Sequence, residues 1–153
     1  MIVKQVSFNH PDSVELRSQQ RAEIERRYGN PDSEPGPAPT SEDIVAFFVA
    51  YDDGSAIGCA GLRERDATGF GDTEAEVKRM FVLPSHRGTG TSVALLRQLE
   101  QFGRERGYAR LVLETGTEQP DAVRFYEREG FTRIPNFGYY VGSAHSLCYE
   151  KTL

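Results

Sequence analysis

Residues 74 to 96, EAEVKRMFVLPSHRGTGTSVALL, constrain this chain more than any other stretch. An apolar run ends at Pro84, a basic residue opens a glycine-rich turn, and apolar residues then recur at helical spacing. A strand joined to a helix in this way must bury an apolar face of each, which commits the chain to a layered α/β arrangement. The first amides of a helix have no intrahelical partner and carry the positive end of its dipole. Gly88 to Ser92 therefore reads as a cradle for an anion, with glycine admitting a phosphate close to the backbone. A capped tight turn fits this stretch alone equally well. Two familiar phosphate loops do not: no lysine follows Gly90, and position 93 is Val where a dinucleotide fingerprint needs Gly.

The remaining elements follow from periodicity and turn chemistry. MIVKQVSF alternates as a first strand. DSVELRSQQRAEIERRYG reads as a helical region with Val14, Leu16, Ala22 and Ile24 as a loose apolar stripe and Gly29 as its stop. Residues 30 to 43 hold four prolines and four acids, which predicts a loop with almost nothing to bury, either a lid over an acceptor site or solvated packing. IVAFFVAY and AIGCAGLRE flank DDGS as a hairpin. Leu95, Leu96, Leu99 and Phe102 give the next helix one apolar face, and Gly107 closes it. ARLVLET is a short strand, QPDAVRFYEREG a helix with Pro120 in its first turn, and FTRI and SLCYEKTL two final strands. The order β-α-(α)-β-β-β-α-β-α-β-β predicts an α/β fold with a mixed sheet, in one domain over 1–153.

Composition excludes several functions. A net charge of -5 argues against a nucleic-acid binder and suits a cationic small substrate. No apolar run is long enough to span a membrane. The start lacks an apolar signal core, so a cytoplasmic protein is expected. Cys59 and Cys148 sit in apolar runs and read as buried free thiols. His10, His86 and His145 do not cluster, which predicts no metal site and no Ser-His-Asp triad.

Arg87, Gly90 and Ser92 resemble the coenzyme signature of the GNAT superfamily of N-acetyltransferases, with Ser92 where Gly or Ala is usual. QPDAVRFYEREGF, residues 119 to 131, is similar to the family's second motif, with Gln119 in place of Asn. The resemblance implies a sheet that splays between the strand at Met80 to Val82 and RLVLE, with acetyl-coenzyme A in the gap. It implies that the pyrophosphate meets the amides of Arg87, Gly88, Thr89, Gly90, Thr91 and Ser92. The pantetheine arm would pair with Met80, Phe81 and Val82, and Gln119 and Phe125 would complete the coenzyme site. A homodimer is a family-level expectation.

Acetyl transfer to an amine needs the neutral nucleophile. A lysine-like ammonium, with a pKa of about 10.4, costs roughly 4.6 kcal/mol to neutralise at pH 7. The resemblance points to Glu76 as base or water-orienter, with Glu74 as its fallback on the same strand face, and to Tyr126 as proton donor to the leaving thiolate. Each also has a structural reading: a strand-end acid, and a core aromatic beside Phe125. Phe137 to Tyr140 either line an acceptor pocket or belong to the core. Lys78 and Arg79, adjacent on a strand, are expected on opposite faces, one of them facing the cleft. The expected function is acetyl transfer from acetyl-coenzyme A to a small-molecule primary amine in a ternary complex. Protein or peptide acetylation and a non-catalytic coenzyme-binding module are the alternatives.

Overall fold

The computed structural model describes residues 1–30, 34–64 and 74–153. In chain order the elements are β1 (Ile2–Gln5), α1 (Pro11–Tyr28), β2 (Ile44–Asp52), β3 (Ser55–Glu64), β4 (Glu74–Val82), α2 (Thr91–Arg106), β5 (Arg110–Gly116), α3 (Pro120–Arg128), β6 (Thr132–Ile134) and β7 (Ser146–Thr152). This is the expected order, except that the described residues between α1 and β2 hold no second helix. The glycine-rich stretch before β4 lies outside the described residues. Two short 3-10 turns, Pro84–His86 and Gly138–Tyr140, precede α2 and β7.

The strands form one sheet in the order β1-β2-β3-β4-β5-β7-β6. β1 to β4 are an antiparallel meander. The Asp53-Gly54 turn between β2 and β3 has positive φ at both residues, as a two-residue hairpin with the native twist requires. β4 and β5 are parallel, since α2 crosses between them, and β7 inserts between β5 and β6.

Alternation along the strands divides the core in two. Phe47, Val49, Cys59 and Phe81 face α1 with Leu16. Phe48, Ala50, Ala60 and Leu62 face α2 with Leu95, Leu96 and Leu99, and the same cluster takes in Tyr126 of α3 and Phe131. Phe102 meets Phe48 edge to face with ring centroids 6.5 Å apart, a favoured geometry for aromatic pairs. The predicted face of α2 is therefore the observed one.

The stripe expected on α1 is not the one it buries. Leu16 is buried, but Val14 is exposed and Ala22 faces solvent. The helix turns Gln20, Glu23, Ile24 and Tyr28 toward a cavity rather than a dry core. A helix with one face on a polar cavity has less reason to be amphipathic.

Between β3 and β4 the register slips. Cys59 pairs with Phe81 and Gly61 with Lys78, so Ala60 faces both Arg79 and Met80. Two residues against one is a β-bulge, which bends the bulged strand. Arg79 takes the left-handed conformation, φ 61°, unusual for a side chain of this size. Its carbonyl accepts from the Cys59 thiol at 3.3 Å. β4 and β5 pair only from Glu74↔Arg110 to Glu76↔Val112, and then diverge.

Leu99 is fully buried at the centre of the α2 face. Leu99→Ala is expected to cost about 3 kcal/mol of unfolding free energy, read as a lowered denaturation midpoint at unchanged slope.

Candidate active site

The divergence of β4 and β5 opens a cavity of about 550 Å³, closed by α1, the N-terminus of α2 and α3. Met80, Phe81, Val82, Arg87, Gly88, Gly90, Thr91, Ser92, Gln119 and Phe125 line it. Thr89 does not. Its hydroxyl turns back to the His86 carbonyl and the Thr91 hydroxyl, which fixes the turn.

The N-terminal end of α2 presents backbone amides to the cavity. Gly90 caps the helix at φ 88° with no side-chain cap. The Ala94 amide bonds to the Gly90 carbonyl, so the amides of Thr91, Ser92 and Val93 lack intrahelical partners. A Cβ on Gly88 or Gly90 would meet nothing within 4 Å. The glycines therefore serve backbone conformation and access rather than packing. Ser92 lines the cavity without closing it.

The Arg87 guanidinium does not project into the cradle. Its Nε donates to the Val82 carbonyl at 2.9 Å, and its NH2 pairs with Glu23 at 2.7 Å. It ties the end of β4 to α1. The Gln20 amide does the same one step earlier, donating to the Met80 carbonyl at 3.1 Å. The other half of that amide, Gln20 Oε1, is buried with no hydrogen-bond partner among the described residues. A buried acceptor without a donor is costly, and this one belongs to a residue on the cavity wall. A ligand carrying amide N–H groups along β4 would satisfy it. Amide-bearing pantetheine and an anionic pyrophosphate thus both find matching groups on the chain.

Tyr126 lies in α3 between Phe125 and Phe131, edge to face with each. It borders the cavity, and its hydroxyl has no hydrogen-bond partner among the described residues. Burial raises its pKa, so the phenol stays protonated at neutral pH.

Glu76 is placed differently from the expectation. It is 1% exposed and does not line the cavity. Its Oε1 accepts from Arg63 at 3.2 Å and its Oε2 from the Tyr140 hydroxyl at 2.5 Å. It lies beside the cavity residue Lys78, whose Nζ is 3.6 Å from Oε2. Glu74 is equally buried and is paired with Arg110 at 2.7 Å, away from the cavity. Four carboxylates border the cavity, Glu23, Glu34, Glu114 and Asp121, and of these Glu114 is the one on the splayed strand β5. Burial raises its pKa, against the lowering by the Ser146 hydroxyl bonded to it at 2.6 Å and by Lys78. Sequence reading passed over Glu114. Its one signal is an acid ending an apolar strand opposite the coenzyme loop.

The bulge also corrects the expectation for Lys78 and Arg79. They do not point to opposite sides: both line the cavity, and both pair with Glu34 from the loop after α1. That loop therefore buries charge, with Pro39 also buried, whereas its composition predicted nothing to bury. Residues 31 to 33 of it lie outside the described residues. Phe137 and Tyr140 pack edge to face beneath the cavity rather than lining it, and Tyr139 is exposed.

Cys59 and Cys148 are buried free thiols, pushed up by burial to about 12 and about 11, which leaves neither a ready nucleophile. Among the described residues no cluster of three metal-ligating side chains occurs, and no helix is long and apolar enough to cross a membrane. His10 caps α1, accepting from the Asp12 amide, while His86 and His145 border the cavity.

The acetyltransferase (GNAT) family model matches residues 12–131. An IAA acetyltransferase of Azospirillum brasilense is 37% identical over 109 residues, 71% of this chain and 69% of that protein. N-acetyltransferase 8 of Homo sapiens is 32% identical over 93 residues, which are 61% of this chain; the match spans 41% of that protein's length. A crystal structure from Klebsiella pneumoniae subsp. pneumoniae MGH 78578, of a proposed acyl-CoA N-acyltransferase, superposes with TM-score 0.82 at 25% identity. It covers 99% of this chain and 97% of that one. Solved structures sharing the fold hold coenzyme A or acetyl-coenzyme A.

Gly90→Val places a β-branched residue in the left-handed region at the cradle. It is expected to destabilise the fold by about 1–2 kcal/mol and to weaken acetyl-coenzyme A binding by about tenfold or more, measured by thermal melting and by calorimetric titration.

Proposed function

The chain belongs to the GNAT family of acetyltransferases, and on that premise we propose that it transfers acetyl from acetyl-coenzyme A to a primary amine of a small molecule, by direct attack with both substrates bound. One observation carries this reading. A single cavity joins α2 amides and a phenol, Tyr126, all without hydrogen-bond partners among the described residues, to a carboxylate, Glu114.

Acetyl-coenzyme A supplies an activated thioester. The chain's own groups do the rest. The α2 amides hold the pyrophosphate, a task suited to backbone donors at a helix N-terminus. Gln20 Oε1 accepts an amide N–H of the pantetheine arm. Glu114 takes the proton lost by the amine. Its raised pKa brings it nearer to that of its proton donor, which improves a general base at neutral pH. Glu76 acts as a positioning residue, since Arg63 and Tyr140 occupy its oxygens and it meets the cavity through Lys78. Tyr126, held protonated by burial, gives its proton to the departing thiolate. The absence of a low-pKa thiol at the site supports direct attack over an acetyl-cysteine route.

Acetyl-coenzyme A at a hundredfold excess over its Kd is expected to add about 2.7 kcal/mol of stability; an unchanged melting temperature at millimolar ligand would remove the donor from the proposal. Glu114→Gln is expected to lower kcat/KM by about 10²–10⁴ and to abolish the acidic limb of its pH profile. That limb should sit above the ordinary glutamate value of about 4.3, because the base must be ionised and its pKa is raised. If Glu76→Gln removes the limb and Glu114→Gln does not, the two roles are reversed. Tyr126→Phe is expected to slow turnover while leaving acetyl-coenzyme A affinity within a few-fold; loss of affinity instead would make Tyr126 a binding residue.

A further inference from the structure

The acceptor end of the cavity holds an arrangement that acetyl transfer alone does not require. Lys78, Arg79, Glu34 and Glu114 all border it. The Glu34 carboxylate divides itself between the two cations. Its Oε1 pairs with Lys78 Nζ, and its Oε2 lies 3.4 Å from Arg79 NH1. The Tyr140 hydroxyl also reaches Oε1, at 2.9 Å.

The members of this cluster are not held equally. The Lys78 side chain is 4% exposed and that of Glu76 1%, both on β4, whereas Glu34 is 27% exposed and comes from the loop after α1. Tyr140 has one proton for two carboxylates, and Glu76 at 2.5 Å competes for it with Glu34. If Glu34 withdraws, Tyr140 keeps Glu76, and Lys78 keeps Tyr140 at 3.2 Å with Glu76 nearby. Arg79 then has no carboxylate partner among the described residues. Two cations on the wall of a cleft, with their shared carboxylate on a loop outside the sheet, form a seat that another carboxylate can take.

Resting on the acetyl-transfer reading above, we propose that Lys78 and Arg79 seat a carboxylate of the acceptor, that Glu34 competes for this seat, and that the acceptor is an amino acid or a similar amine bearing a carboxylate. The bulge at Arg79 makes the seat, because it brings two neighbouring cations to one side of β4. Glu114, across the cleft on β5, supplies the opposite charge for the ammonium, so the cavity is complementary to a zwitterion. Burial, with Arg79 beside it, lowers Lys78 to about 7, with Glu114 raising it in opposition, so a bound carboxylate would reinforce its charge.

Calorimetric titration tests this on the whole chain saturated with coenzyme A, and again without it. The probes are the common α-amino acids and the ω-amino acids from glycine to 6-aminohexanoate, each beside its carboxamide. At least one carboxylate is expected to bind about tenfold more tightly than its carboxamide. Glu34→Gln should tighten that carboxylate several-fold without tightening the carboxamide. Arg79→Gln, and separately Lys78→Met, should abolish the preference while melting like a folded protein. Equal binding of every carboxylate and carboxamide in both wild type and Glu34→Gln would overturn the proposal. So would a preference that survives both cation variants, or a Glu34→Gln that weakens the carboxylate, since Glu34 would then be part of the seat rather than its competitor. Failure of coenzyme A to bind would strike the acetyl-transfer reading instead, and the titrations without it keep the two failures apart.

Discussion

The parting of β4 from β5 after Glu76 is the constraint on which the rest depends. An open seam in the middle of a sheet leaves backbone groups without ladder partners, and such groups must be satisfied elsewhere. The chain does this with side chains from outside the sheet. Gln20 takes the Met80 carbonyl and Arg87 takes the Val82 carbonyl. Both ties also fix the lining of the cavity: one brings α1 against β4, and the other anchors the residue that opens the glycine turn. The cause of the parting is local. Arg79 and Met80 stand against Ala60 alone, and the extra residue bends β4 away from its parallel neighbour. The left-handed backbone of Arg79 is the local cost of that bend, about 1–2 kcal/mol for a non-glycine residue.

Most of the scaffold was legible because it is written locally. The Asp53-Gly54 turn, the apolar face of α2, and the glycines ending α1 and α2 each follow from a few neighbouring residues. The turn that opens α2 on the cavity was legible for the same reason, since it is contiguous in sequence. What escaped is what depends on distant partners. Nothing in the residues of VKRMF marks a bulge: no glycine stands there, and simple alternation separates Lys78 from Arg79. Residues 30 to 43 read as a lid or as solvated packing because only composition is visible, whereas Glu34 is held by Lys78, Arg79 and Tyr140 from two other parts of the chain. Glu76 read as an available base for the same reason. Its partners Arg63 and Tyr140 lie 13 and 64 residues away and consume both its oxygens. Glu114 was overlooked because a lone acid at a strand end carries no signal until the seam beside it is seen.

The electrostatics follow from that geometry. A chain of net charge -5 has a cleft in which Arg21, Arg27, Lys78, Arg79, Arg87 and Arg128 outnumber the acids Glu23, Glu34, Glu114 and Asp121. An acidic protein with a basic cleft repels anions in general and concentrates them locally, which suits a polyanionic coenzyme. The buried carboxylates need the same cations. Glu76, taken out of water, is tolerable only with Arg63 and Tyr140 on its oxygens. The cluster is therefore coupled, so that removing one member changes the charge seen by the others, and single substitutions here should not add.

On the proposed reading, the two ends of the cavity use different means of recognition. At the α2 end the donors are backbone amides, whose position depends on helix geometry rather than side-chain identity. That is why Ser92 stands where a smaller residue is usual in the family without closing the cradle: its amide faces the same way whatever its side chain. At the Lys78 end recognition is made wholly by side chains from β4, β5 and the loop after α1, and every contact depends on residue identity. The donor can thus be inferred from a short motif, because the motif encodes a backbone shape. The acceptor can be inferred only where charges are placed in space, and here they are placed as two cations facing one carboxylate across a seam that a bulge holds open.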